Sequence, residues 1–430
     1  MSQTTSTATS AGRVSHVRWV ICGLLFLATV IAYVDRSVLS FLEKTLESVI
    51  PGLNSLSYAH IMVGFMIAYG IGLAVAGGIT DKLGTRRAFA IAILLWSFAA
   101  MLPAFVASVH GFIVAMVLLG LAEAANFPAC IRTVAEWFPQ AERALATALF
   151  NSGANVGTMV VPFVVVFFTL HFGWRLAFIA TGALGFFWLI LWLGVYKKPE
   201  AHPGVSAEEL RHIQSGRVES PAPVAWRRLL PVKETWAFAI GKFLTDPIWW
   251  FWLFWLPRYL EGTFHLKLGP TSIPFATVYL ISIIGSIVAG WLPARFLRHG
   301  RSANWSRKVA MLVCALAVVP VIFAPYSHHL WLVVALVGLA AAAHQGWSAN
   351  IFTLPSDVFP KTAVASVVGI GGMAGAIGGA LFQELAGVVV HRTHSYIPLF
   401  AIACVIYLVA LGIIHLLTPR LAPARLAAEN

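Results

Sequence analysis

Twelve apolar runs, each long enough to cross a bilayer and each followed by a short connector, constrain this chain more than any other feature. They lie near residues 18–42, 58–80, 87–108, 111–136, 144–170, 175–196, 235–260, 272–297, 307–326, 330–356, 363–390 and 396–417. A spanning helix needs roughly 20 apolar residues, so the pattern predicts an all-α polytopic membrane protein. Composition agrees. The chain is 59% hydrophobic and only 11% charged, against about a quarter charged in soluble domains. The same balance excludes disordered, collagen-like and disulfide-rich classes.

A net charge of +12 does not point to nucleic acid, because Lys and Arg are confined to the connectors. Sorted by alternate sides, about 21 of the 29 fall on the side of the termini and about five on the other, with Arg36, Arg132 and Lys242 inside spans. Positively charged connectors stay in the cytoplasm. Both termini are therefore expected there. The start, Met1 to Ala11, is polar, and the run after it is too long for a signal peptide, so no cleavable signal is expected. Cys22, Cys130, Cys314 and Cys404 sit in apolar runs without paired spacing and read as small core residues.

The stretch Lys197 to Lys233, with Pro199, Pro203, Pro221 and Pro223, divides the chain into two sets of six spans. It is too short to form a core of its own. The expected organisation is a tail over 1–17, a six-helix bundle over 18–196, a cytoplasmic linker over 197–234, a second bundle over 235–418 and a tail over 419–430. An internal repeat supports it. Gly77–Arg87 after span two corresponds to Gly290–Arg301 after span eight, and Trp137-Phe-Pro139 before span five to Val358-Phe-Pro360 before span eleven. The Gly-rich stretches Asn151–Gly157 and Gly369–Gly379 correspond too. Small residues at such spacing let helices approach closely in lipid. Two similar halves around a midplane cavity is the plan of a secondary transporter.

These residues resemble the major facilitator superfamily, whose cytoplasmic signature is similar to Gly77-x-x-x-Asp81-Lys82-x-Gly84-x-Arg86-Arg87. Tyr33-Val-Asp35-Arg36, Glu123-Ala-Ala-Asn126-Phe-Pro128 and Glu136-Trp-Phe-Pro139 resemble its anion:cation symporter branch. Lys242–Trp250 with Phe254-Trp-Leu-Pro257, and His344-Gln345-Gly-Trp347-Ser-Ala-Asn350, look like the hexuronate transporters of that branch. The resemblance implies the major facilitator fold and a proton-coupled symporter that imports a sugar-acid anion, most simply glucuronate or galacturonate. The alternative is a symporter of another organic anion, such as an aldonate, tartrate or an aromatic carboxylate. No enzyme motif stands in a soluble domain. No cofactor or metal is expected; the expected partners are an organic anion, protons and the lipid bilayer, with no nucleic acid and a monomeric chain.

Ionisable groups inside spans mark where transport chemistry sits, since each costs about 2.5–3.5 kcal/mol at the bilayer centre on insertion scales. Arg36 offers a planar fork for a carboxylate. Asp35, one residue earlier, points elsewhere on the helix and reads as a proton carrier or the partner of a basic group; the other reading of both is a structural ion pair. Glu123 has no charge at i±3 or i±4 in its span and reads as the principal proton site. Lys242 and Asp246, at i and i+4, either neutralise one another for insertion or leave Lys242 for the substrate. Tyr33, Tyr69, Asn126, Asn155, Trp249, Gln345, Trp347 and Asn350 supply hydroxyls, amides and ring faces suited to a sugar. Asp81, Arg86, Arg87 and Arg143 read as gating residues at the cytoplasmic side. His344 reads as a satisfied buried histidine. Several sugar-acid relatives carry an Arg two turns before the span-four Glu where this chain has Met116, so Arg36 comes first and Lys242 second as the cation for the substrate carboxylate.

Overall fold

In a computed structural model, which describes residues 16–139, 142–215, 226–421 and 424, the chain is helical throughout. The first half comprises α1 (Val17–Glu47), α2 (Ser55–Leu83), α3 (Thr85–Met101), α4 (Val109–Glu123), α5 (Asn126–Trp137), α6 (Arg143–Phe172) and α7 (Trp174–Val195). Two short helices follow, α8 (Ala207–Gln214) and α9 (Trp226–Leu229). The second half comprises α10 (Lys233–Phe264), α11 (Leu268–Arg298), α12 (Ala303–Val318), α13 (Leu330–Ile351), α14 (Thr353–Val358), α15 (Lys361–Thr393) and α16 (Ile397–Leu417).

Ten spans among the described residues are long and apolar enough to cross a membrane, two of them made of the broken pairs α4–α5 and α13–α14. Helix α10, 32 residues long, is as long as these, but Lys242, Asp246, Arg258 and Glu261 dilute its apolar character. With α11, of 31 residues, it completes twelve membrane helices in two six-helix bundles. Below, the face of the bilayer where α1 begins is the near face and the opposite one the far face.

The repeat seen in the sequence is written into the backbone. Among the described residues every positive φ falls into one of three pairs: Gly52 (78°) with His265 (52°), Gly84 (73°) with Gly300 (76°), and Gly173 (86°) with His394 (51°). Each pair stands at the end of, or in the turn after, equivalent helices in the two halves. The third helix of each half also closes in a 3₁₀ turn opened by proline, Leu102–Phe105 and Val319–Tyr326. Where α6 crosses α1, a Cβ at Gly153 would lie 2.6 Å from the Phe26 carbonyl oxygen, so only glycine allows that approach. Gly378 of α15 meets the Phe243 backbone of α10 in the same way.

Large apolar side chains face outward, such as Ile190 at 71% and Leu381 at 60% exposure, while Arg36, Glu123 and Asp35 are buried. That inversion relative to a soluble protein is what a lipid surround permits. All four cysteines are buried and free. The segment after α7 does not stand apart from the bundle. Glu209 and Ile213 of α8 are fully buried, and Arg18 at the start of α1 pairs with Glu209 (3.1 Å) and Glu142 (3.0 Å). His212 of α8 reaches the other oxygen of Glu142 at 2.8 Å. Pro221 and Pro223 lie outside the described residues.

Candidate functional site

Successive residues of a helix point 100° apart, and α1 uses this to send two neighbouring charges into different surroundings. Arg36 turns toward α2, α4 and α10. Its Nη2 lies 2.8 Å from Glu123 Oε2, with the side chains 2% and 0% exposed. Its guanidinium carbon stands 4.4 Å from the ring centre of Tyr33, 5.2 Å from Tyr69, 5.8 Å from Phe65 and 5.6 Å from Trp250. Rings around a cation replace part of its lost hydration. Among the described residues Nε and Nη1 of Arg36 make no well-formed hydrogen bond, and the Tyr69 hydroxyl stands within interaction range of the guanidinium. A guanidinium has donors on all three nitrogens, so two of them are available to a ligand.

Glu123 is the last residue of α4. The helix breaks over Ala124 and Ala125 and resumes as α5 at Asn126, which places the carboxylate at a discontinuity inside the span. Glu123 lacks a charged partner in its own span, as the sequence indicates, and finds one on α1. Met116, two turns earlier, is buried and brings no cation. Asn126 is buried and accepts from Cys130 Sγ at 3.5 Å.

Asp35 does not join the Arg36 cluster. It faces Thr181 of α7 and the Trp96 indole of α3, within electrostatic range of Glu123. Among the described residues neither carboxylate oxygen makes a well-formed hydrogen bond or an ion pair.

In the second half, Lys242 Nζ lies 2.7 Å from Asp246 Oδ2 and 4.2 Å from the Phe352 ring centre. The i, i+4 spacing does bring the pair together. His344 Nδ1 contacts the Tyr407 hydroxyl at 2.7 Å, and its ring stacks on Trp249 at 5.3 Å. It is a partnered buried histidine. Trp249 thus turns away from Arg36, toward His344 and Tyr279; the ring beside the cation is its neighbour Trp250, which the sequence reading passed over. Trp347 is fully buried, edge-on to Tyr407. Asn350 donates to the Gly346 carbonyl at 2.9 Å, and its Oδ1 has no hydrogen bond. Gln345 Nε2 donates to Asn155 Oδ1 at 2.9 Å, joining α13 to α6 across the two halves.

The expected gating residues separate. Arg143 caps the end of α5, donating to the carbonyls of Phe138 (3.1 Å) and Ala135 (3.0 Å). Arg86 donates to the Leu193 carbonyl, and Arg87 is exposed. Asp81 lies within α2, but its side chain is outside the described residues. A stronger junction lies at the far face. Arg258 of α10 pairs with Glu43 of α1 and, at 2.7 Å, with Glu47. Beside them the Tyr58 hydroxyl of α2 donates to the Phe254 carbonyl at 2.9 Å. These contacts join the two halves at that face.

A family model described as the Major Facilitator Superfamily matches residues 25–383. The chain belongs to the Major Facilitator Superfamily. Among its curated relatives, a hexuronate transporter of Escherichia coli K12 is 30% identical over 91% of this chain and 92% of its own. A probable galactarate/D-glucarate transporter of the same strain is 30% identical over 96% and 97%, and a galacturonate transporter of Dickeya chrysanthemi is 30% identical over 71% and 90%. Among solved structures, a D-xylose–proton symporter superposes with a TM-score of 0.73 at 15% identity, over 92% of this chain and 97% of the other. A bacterial homologue of the lysosomal transporter Spinster, inward-facing and occupied, gives 0.71 at 14% over 94% and 97%. The protein is a multi-pass membrane transporter and not an enzyme.

Proposed function

We propose that the chain is a proton-coupled symporter of the bacterial inner membrane that imports a sugar-acid anion, first among them a hexuronate such as glucuronate or galacturonate. The observation that carries this reading is the buried Arg36–Glu123 pair, with two guanidinium nitrogens unbonded and Trp250 of the opposite half against the cation. While Glu123 is ionised it holds Arg36 and competes with any incoming carboxylate. Protonation removes that competitor. The freed fork then takes the substrate carboxylate in two parallel hydrogen bonds. Proton and anion thus bind with positive coupling, and the pair crosses without net charge.

Tyr33, Tyr69, Asn126, Asn155 and Gln345 supply hydroxyls and amides for the sugar, and Trp250 a ring for its C–H face. Asp35, within electrostatic range of Glu123, passes the proton on rather than holding substrate. The near face is the cytoplasm, where most Lys and Arg lie, and Asp81, Arg86 and Arg87 work there to close it in the outward-open form. The relatives named for other sugar acids support the broader class, and counterflow competition among hexuronates, aldonates and tartrate ranks the substrates.

The test is uptake of labelled glucuronate into proteoliposomes under an imposed pH gradient. Accumulation that an uncoupler abolishes supports the proposal; uptake indifferent to the gradient, or none, contradicts it.

A further inference from the structure

Arg36–Glu123 is not the only buried cation–carboxylate pair in the membrane region, and the second has the same construction in the opposite half. Lys242 is 5% exposed. Of its three ammonium hydrogens, the structure engages one with Asp246 at 2.7 Å and turns the group against the Phe352 ring. No other hydrogen bond to Lys242 is formed among the described residues. The Asp246 carboxylate is more open than its partner, 18% against 6% for the side chains.

The two pairs are neighbours: Asp246 stands one turn before Trp250 on α10, and the Trp250 ring lies 5.6 Å from the Arg36 guanidinium. Tyr33 packs on Arg36 at 4.4 Å and lies within electrostatic range of both Glu123 and Asp246. Asp246 meets Lys242 on its own helix and lies against Gly375 of α15, which brings no charge, with Tyr33 of α1 and Tyr407 of α16 within electrostatic range. His344 of α13 is within electrostatic range of Lys242. The pair is not sealed, and its carboxylate is the more accessible member.

We propose that Lys242 and Asp246 form a second proton-gated anion site, which holds the far carboxylate of a sugar dicarboxylate while Arg36 holds the near one. The inference rests on the reading of Arg36 and Glu123 given above. A hexuronate has one carboxylate, engages Arg36, takes one proton on Glu123 and leaves the Lys242–Asp246 pair closed. A hexarate, carboxylated at both ends, opens both pairs and takes a proton on each of Glu123 and Asp246. Charge balances in both cases: one proton with a monoanion, two with a dianion.

The stoichiometry is directly readable. For electroneutral symport, accumulation at equilibrium rises about tenfold per unit of imposed pH gradient with one proton and about a hundredfold with two. In proteoliposomes of the unaltered protein, glucuronate is expected to follow the first slope and galactarate the second, neither responding to membrane potential. Asp246→Asn should bring galactarate down to the tenfold slope, because the site no longer takes its own proton. If galactarate follows the tenfold slope in the unaltered protein, or is not transported while glucuronate is, the second site is wrong and the first reading stands. If neither acid is accumulated, the first reading itself fails and takes this one with it.

Discussion

Trp250 on α10 lies 5.6 Å from the Arg36 guanidinium on α1, so the cation of one half is walled by a ring of the other. Tyr69 of α2 meets the same ring edge-on at 6.2 Å. Any rocking of the halves would change the surroundings of Arg36.

Trp250→Ala should therefore weaken glucuronate binding by about tenfold, through loss of the cation–ring contact and the sugar-facing surface. Trp249→Ala removes a ring that faces His344 instead and should not reproduce this affinity loss. Counterflow half-saturation constants for the two variants make the comparison.

Arg36→Lys keeps the charge and the Glu123 partner but loses the planar fork. A bidentate contact becomes a single one, and affinity for a carboxylate substrate should fall about tenfold to a hundredfold. Transport should persist at raised substrate concentration. Unchanged affinity would mean the fork does not hold the substrate.

Arg258→Ala should open the far face. It leaves Glu43, 1% exposed, without its cation, and an uncompensated buried charge costs about 3–5 kcal/mol, which weighs against the contact between the halves there. Spin labels at Ser48 and His328, both exposed on the far side of opposite halves, should report longer distances in the variant. Superimposable distance distributions would show that Arg258 does not hold the closure.

At the near face, Glu142 ties α1 to α8. Burial opposes ionisation there, but the hydrogen bonds and charges of His212 and Arg18 outweigh it and hold the carboxyl below its ordinary range. A depressed carboxylate stabilises the folded contact at pH above its unfolded value, and the stabilisation is lost as pH falls through the lowered one. Amide exchange in α8 should therefore accelerate on acidification through that range. Glu142→Gln should show the fast exchange already at neutral pH.

Span number, the two halves and the buried cation and acids were legible in the sequence because apolar runs and isolated charges are local features. What a linear reading lacks is the far end of each helix. The run of span one stops near residue 42, but α1 continues to Glu47, because Glu43 and Glu47 pair with Arg258 instead of facing water. Arg258 counts as a connector charge until its partners are known. Trp249 and Trp250 are equivalent in the sequence, and only the rotation of α10 decides which one meets Arg36. The pairing of Glu123 with Arg36 joins residues 87 positions apart on different helices, which spacing cannot reveal.

The central claim is that Glu123 must take a proton before Arg36 can take the substrate, so affinity should fall as pH rises. Calorimetric titration of glucuronate into the purified protein, in mildly alkaline buffers of differing ionisation enthalpy, counts that proton directly. The account predicts uptake of about one proton per glucuronate bound, falling to about zero in Glu123→Gln while binding itself remains. Binding without proton uptake in the unaltered protein, or the same uptake in Glu123→Gln, would contradict it.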